Sequence, residues 1–424
     1  MAHQESLTGP LTGLKVLDLT AVLMGPSATQ MLADLGADVI KVEAEEGDST
    51  RKIGPSGEGG MGPIFLGLNR NKRSIVLNLR EPEGREAFLR LVSTADVLTT
   101  NVRPKGMERL RLSYRDVAEV NPRIVYVSMV GFSQRGRYAR SPAFDDLIQA
   151  ATALPWAVAS NTADEPHYVP VNIADRSVGL YAFGVLLAAL YSRDRTGRGQ
   201  QVDVPMFETM VPYVLGDHLY GNKFVPSQGD FGYPRLLARS RRPYRTQDAW
   251  VCCAIYHDHH WKAFLEVIGM PQLWQTDPRL ATMTTRTVHA EELSAFVGEQ
   301  LAQRTTAQWQ EALASADIPV FPMNSFESLL DDPHLKDIGF FSEVEHPQLG
   351  TLREMAVPSE WHGTPPSGYR LPPQLGEHSR EILREAGYDD AQIDRMLEAG
   401  ITRERDVDGK VHGSPIPAPS STCQ

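Results

Sequence analysis

A chain of 424 residues, 42% hydrophobic and 22% charged, has enough material for a sizeable core, and its length suits two domains. Its formal net charge of −11 argues against wholesale nucleic-acid binding, which needs a basic surface. Three cysteines, two of them the adjacent Cys252 and Cys253, make neither a disulfide framework nor a zinc site of known spacing, and they fit a reducing cytoplasm.

The N-terminal Met-Ala-His-Gln-Glu-Ser lacks the basic and apolar regions of a signal peptide. Leu14 to Leu19 reads as a strand, followed by a turn at Ala21 to Pro26, a helix through Gly36 and a second strand from Asp38 to Val42. That βαβ unit predicts a parallel sheet with right-handed crossovers. Its turn has no G-x-G-x-x-G, so a nicotinamide or flavin fingerprint is absent, and Gly25-Pro26 places proline at the first helical position. The cations of Asn69 to Ser74 stand ahead of a predicted strand, Ile75 to Leu79. A second basic turn, Asn101 to Gly106, follows the strand Asp96 to Thr100, and Arg109 lies just beyond. Such turns are either solvated surface or an anion site at the ligand-binding edge of a parallel sheet. A helix entered through Pro142 carries Asp145 and Asp146 in its first turn, where the helix dipole favours carboxylates.

The most informative stretch is Pro170 to Arg176, with Asp175 just ahead of an apolar run from Val178 to Tyr191. That run is apolar on every side, so it predicts a helix inside the protein; it is too short for a bilayer, which needs roughly 20 apolar residues. Basic residues and glycines from Ser192 to Gly199 stop it, and Gln200 to Val204 reads as another strand. From the residues alone, Asp175 is either an ordinary N-cap or an ionised carboxylate facing a ligand at the positive end of the helix. Beyond an irregular stretch at 211–240, the strands Trp250 to Tyr256 and Ile318 to Pro322, with helices between them, predict a smaller α+β domain. His257, His259 and His260 lack the spacing of a metal site, and no metal is expected. The expected division is 1–215 for the first part of a large α/β domain, 216–240 as linker, 241–350 for the small domain, 351–410 returning to the large one and 411–424 as a disordered tail.

The blocks Leu14 to Leu19 with Gly25-Pro26, Leu35 to Glu43, Asn71 to Ile75, Ala95 to Val97 with Asn101, Thr196 to Gln200 and Leu375 to His378 occur in an order that resembles the class III CoA-transferases. This is the family of formyl-CoA:oxalate CoA-transferase and of the carnitine and bile-acid CoA-transferases. The resemblance implies a Rossmann-like large α/β domain with a parallel sheet, an interlocked homodimer, and acyl-CoA and small carboxylic acids as substrates. It implies no permanently bound cofactor, while the acidic net charge and the short apolar run leave neither nucleic acid nor a membrane expected as a partner. It implies that Asp175 is the nucleophile, carrying CoA as an aspartyl thioester, and that Asp145 stands near the catalytic centre. The turn Val22, Leu23 and Met24 matches a segment contacting CoA, and Lys72, Asn101 and Arg109 match positions holding its adenosine diphosphate part. Leu23 replaces an active-site glutamine of the oxalate enzyme, and Ala44 replaces a phosphate-binding arginine, leaving Arg51 or Arg103 to serve. The family's run of glycines is absent, with Gln228 to Tyr233 in its place.

Two alternatives accompany this reading. The related α-methylacyl-CoA racemases exchange an α-proton through a Gly-His-Asp motif that falls here on Ala143-Phe144-Asp145, and phenylalanine carries no proton. The other is a catalytically silent CoA-binding protein, against which the intact Asp175 argues.

Overall fold

The computed structural model describes residues 7–55, 60–162, 164–405 and 411–413. The N-terminal hexapeptide and most of the expected tail lie outside these residues, although Val411–His412 forms a short strand. The chain divides into two compact units, one of residues 1–148, 172–210 and 339–424, the other of residues 149–171 and 211–338. The second unit thus takes up a segment ahead of Asp175 and begins and ends earlier than the expected 241–350. The hairpin of Phe341–His346 with Gly350–Met355 falls in the first unit.

Six parallel strands form the centre of the first unit: β1 (Lys15–Leu19), β2 (Asp38–Glu43), β3 (Lys72–Leu77), β4 (Val97–Thr100), β5 (Val125–Val130) and β6 (Gln200–Pro205). Their order in the sheet is 3-2-1-4-5-6, that of a doubly wound Rossmann-type sheet. The chain end adds Thr402–Arg405 antiparallel to β3. β3 begins three residues before the expected Ile75, so Lys72 and Arg73 are strand residues and not part of a turn. Strand geometry is tolerated there because each cation meets a carboxylate, Lys72 on Asp18 and Arg73 on Asp38.

Leu17, Ile40, Ile75 and Leu98 bury one sheet face together with Phe88 and Leu91 of the helix Pro82–Thr94. Ile382, Leu383, Ile393 and Met396, from two helices near the chain end, close the same core. Each such fully buried side chain contributes about 1.5–3 kcal/mol. Against the sheet also pack α1 (Met24–Asp34) and α2 (Ile173–Thr196), which lie against each other. A Cβ on Gly179 would stand 2.2 Å from Ser27 Oγ and 2.7 Å from the Met24 carbonyl oxygen, so this helix contact requires glycine.

α2 departs from expectation in three ways. It starts at Ile173, which makes Asp175 its third residue instead of a residue ahead of it. At 24 residues it is long and apolar enough to cross a membrane by length and composition, yet here it packs on α1, β5 and β6. It is also not buried all round within the single chain: Leu180, Tyr181 and Tyr191 are 61%, 55% and 64% exposed.

The second unit has a three-stranded antiparallel sheet, Tyr244–Arg245, Trp250–Cys253 and Val320–Pro322, with helices around a core of Trp261, Phe264, Leu293, Trp309 and Leu313. Trp309 donates its buried Nε1–H to the Leu301 carbonyl at 2.7 Å.

Candidate active site

The first turn of a helix exposes backbone N–H groups that need acceptors. At the start of α2 the acceptor is Asp145, whose Oδ2 receives the Asp175 backbone N–H at 2.9 Å. Asn172, which immediately precedes α2, makes no side-chain cap. Asp145 is itself buried, at the start of the helix Asp145–Ala151. The Asp175 carboxylate is therefore relieved of capping, and it makes no hydrogen bond among the described residues. Burial, then the neighbouring Asp145 charge, push its pKa up to about 6, against a smaller opposing effect of Arg176. Dipole stabilisation at the helix start does not offset desolvation. At neutral pH the group is still mostly carboxylate, and a more basic one. Asp175 and Gly179 are four residues apart and so share the helix face turned toward α1.

A cavity of about 340 Å³ opens where the strands end, lined by Leu19 at the end of β1, Thr20 and Ala21 after it, Val42 of β2, and Asn101 and Val102 after β4. β1 and β4 are where the strand order reverses, the usual ligand crevice of an open α/β sheet. Asn101 spends both ends of its amide on Ala21, donating to the carbonyl at 2.8 Å and accepting from the N–H at 3.0 Å. It thereby ties together the two loops that form the crevice. Val22 has φ of 73°, a costly left-handed conformation for a β-branched residue. Its N–H is held by both oxygens of Asp48 at 3.2 Å. Asp48 is in turn paired with the fully buried Lys41 at 3.0 Å, and Lys41 also donates to the Thr20 carbonyl. Leu23 and Met24 are buried, so this turn presents chiefly backbone.

The expected cations divide. Lys72 is fully buried, and its ammonium meets Asp18 at 3.0 Å, Thr29 Oγ1 at 2.8 Å, Asn69 Oδ1 at 2.9 Å and the Pro26 carbonyl at 3.1 Å. Its three N–H bonds are all engaged, so the expected phosphate contact from Lys72 is corrected to a structural ion pair. Burial alone would raise the Asp18 pKa, but Lys72 and Lys41 outweigh it and hold it at about 2. Arg51 is likewise engaged, with Nε and Nη2 on Glu43 at 2.9 and 2.7 Å and its guanidinium 3.7 Å from the Phe65 ring centroid. It is not free to replace the arginine missing at Ala44. Arg103 and Arg109 are exposed at the start and end of the helix Pro104–Leu110. Arg80, overlooked in the sequence, lines the strand-end cavity and is exposed. Its only local signal is its position three residues past the end of β3. Lys41 and Asp48 were also overlooked, although a lysine inside the apolar Val39-Ile40-Lys41-Val42 is itself a sign of a buried partner. The rings of His257, His259 and His260 cluster with centroids 4.1–5.6 Å apart, and His260 Nδ1 accepts from the Tyr256 and His257 N–H groups at the start of a helix.

Comparison with known proteins agrees with this architecture. The chain is 34% identical over 409 residues to an acyl-CoA transferase of Fusarium pseudograminearum, covering 94% of this chain and 89% of that protein. It is 36% identical over 318 residues to the acetyl-CoA:oxalate CoA-transferase of Acetobacter aceti, covering 74% and 81%. Among solved structures, a CAIB/BAIF family protein from Brucella suis superimposes with a TM-score of 0.73 at 30% identity, over 89% of this chain and 100% of that one. The sequence profile of CoA-transferase family III matches residues 11–379. With most of its length matched by that profile and by relatives named as acyl-CoA and CoA-transferases, the chain belongs to CoA-transferase family III.

Proposed function

We propose that this enzyme moves CoA between two carboxylic acids through a thioester on Asp175. The observation that carries the reading is the division of labour at the start of α2, where Asp145 caps the helix and leaves the Asp175 carboxylate unbonded and raised in basicity. The carboxylate attacks the thioester carbonyl of the donor acyl-CoA, forming a mixed anhydride and expelling CoA thiolate. The thiolate then attacks the aspartyl carbonyl and releases the donor acid, leaving aspartyl-CoA. The acceptor carboxylate reverses both steps, so the Asp175 carboxylate is regenerated and no net hydrolysis occurs. Each addition creates an oxyanion, for which the first-turn N–H groups of Ile173 and Ala174, which lack an intrahelical acceptor, are the nearest backbone donors in sequence.

The strand-end cavity is the proposed seat of the adenosine diphosphate part, with Ala21, Asn101 and Arg80 in its lining and the exposed Arg103 and Arg109, on the helix that follows β4, as further available cations. A homodimer completes the reading: the exposed apolar positions Leu180, Tyr181 and Tyr191 of α2 are what a second copy would cover. The free Cys252 and Cys253 suit a cytoplasmic setting. Intact-protein mass spectrometry after mixing with a panel of acyl-CoA thioesters tests the chemistry. The expected result is a CoA-sized adduct, cleaved by hydroxylamine and absent from Asp175→Ala. No adduct with any short, dicarboxylic or aromatic acyl-CoA would overturn the proposal.

A further inference from the structure

The stretch from Tyr233 to Arg242 carries four arginines and no acid, in a chain whose net charge is −11. In the second unit Arg235, Arg241 and Arg242 converge with Arg286 on a cavity of about 590 Å³, and neither aspartate nor glutamate lines it. Arg235, Arg241 and Arg242 form no ion pair among the described residues. The Arg235 guanidinium lies 4.2 Å from the Tyr256 ring centroid, which fixes its plane without neutralising its charge. Arg286 is 6% exposed and is held by Asp258 at 2.5 Å and the Leu280 carbonyl at 2.9 Å. Its Nε–H is buried with no hydrogen-bond partner among the described residues. A buried donor without an acceptor is destabilising, so a ligand that supplies one is favoured there.

Two further lining groups that can ionise to anions, Tyr244 and Cys253, are neutral near pH 7, and burial pushes both still higher, up to about 12. The remaining wall is apolar, with Trp261, Leu293 and Val297 buried and Ile255 beside them. The volume falls in the range of small-molecule pockets, roughly 300–1,000 Å³. A bare inorganic anion would satisfy the arginines and leave this apolar wall uncovered. A guanidinium fork matches a carboxylate in two-point geometry.

We propose that the second unit contains a binding site for an organic carboxylate with an apolar body, its carboxylate held by Arg235, Arg241 and Arg242 and its body lying on Trp261 and Leu293. The site shares no lining residue with the strand-end cavity and does not depend on the chemistry assigned to Asp175.

The test is titration calorimetry on the full chain with octanoate, using octanol as an uncharged control and inorganic phosphate as an anion without a body. Wild type, Asp175→Ala, Arg235→Gln and the double variant Arg241→Gln/Arg242→Gln are compared. Octanoate is expected to bind wild type and Asp175→Ala equally, and octanol and phosphate about tenfold more weakly. Arg235→Gln and the double variant should each weaken octanoate about tenfold while their thermal unfolding midpoints stay at the wild-type value. Absence of octanoate binding, equal binding of octanol, or an affinity that ignores the arginine substitutions overturns the proposal. So does loss of binding in Asp175→Ala, which would place the ligand at the catalytic centre. Intact binding in a protein that forms no CoA adduct would sink the transfer reaction and leave this site standing.

Discussion

The Asp145 carboxylate accepts a hydrogen bond from the backbone N–H of Asp175 at 2.9 Å, across 30 residues of sequence. One carboxylate thus satisfies the helix start and, by its charge, helps raise the pKa of the other. Asp145→Asn keeps an oxygen acceptor and removes the like charge. The acid limb of the pH profile for adduct formation, expected near pH 6 in wild type, should move to lower pH in this variant. Asp145→Ala removes the acceptor as well and should cost about 1 kcal/mol of stability in addition, read by urea unfolding.

Asp175 should weaken the fold that holds it. Its folded pKa of about 6 lies above the ordinary value of 3.8, so the native state binds more protons than the unfolded state between those values. Stability therefore falls as pH rises through that window, and the deficit is complete above it. The shift corresponds to at most about 3 kcal/mol, less whatever residual solvent screens. Asp175→Asn should accordingly unfold at a higher temperature than wild type at pH 7.5, with the difference shrinking toward pH 4, while forming no CoA adduct. Calorimetric scans across that pH range check both signs.

Lys72 and the exposed arginines should separate stability from substrate affinity. Lys72→Met strands the buried Asp18 charge and should cost about 3–5 kcal/mol in denaturant unfolding. Arg80→Ala and Arg103→Ala touch no buried partner among the described residues and should leave the unfolding midpoint within about 0.5 kcal/mol of wild type while raising the KM for acyl-CoA. A wild-type KM in both variants would remove them from the CoA site.

Gly179→Ala would drive a methyl group into Ser27 and the Met24 carbonyl, where backbone cannot yield cheaply. The expected loss is about 1–3 kcal/mol. Because Asp175 lies one turn earlier on the same face, adduct formation should slow as well. Thermal unfolding and the rate of adduct formation read the two effects.

The exposed face of α2 can be tested by charge. Leu180→Asp should halve the native mass measured by light scattering if a second copy covers this face. An unchanged dimer mass would move the interface elsewhere.

The alternation and length of apolar stretches determined the parallel strands, because strand and helix periods are local properties of the chain. The sequence also located the start of α2 to within a few residues, since proline, the carboxylate and the apolar run are adjacent in it. It did not reveal which group caps that helix, because Asp145 and Asp175 meet only through the fold. The same holds for Lys72, whose charge looks solvent-facing among Arg70 and Arg73 until Asp18, 54 residues earlier, arrives beside it. An apolar run likewise does not say how much of itself is covered, and Leu180 and Tyr191 remain exposed on a helix whose sequence reads as buried on all sides. Local sequence fixed the elements through short-range periodicity; the pairing of charges, the raised pKa of Asp175 and the gathering of four arginines around one cavity required the tertiary structure, because each depends on desolvation and on neighbours distant in the chain.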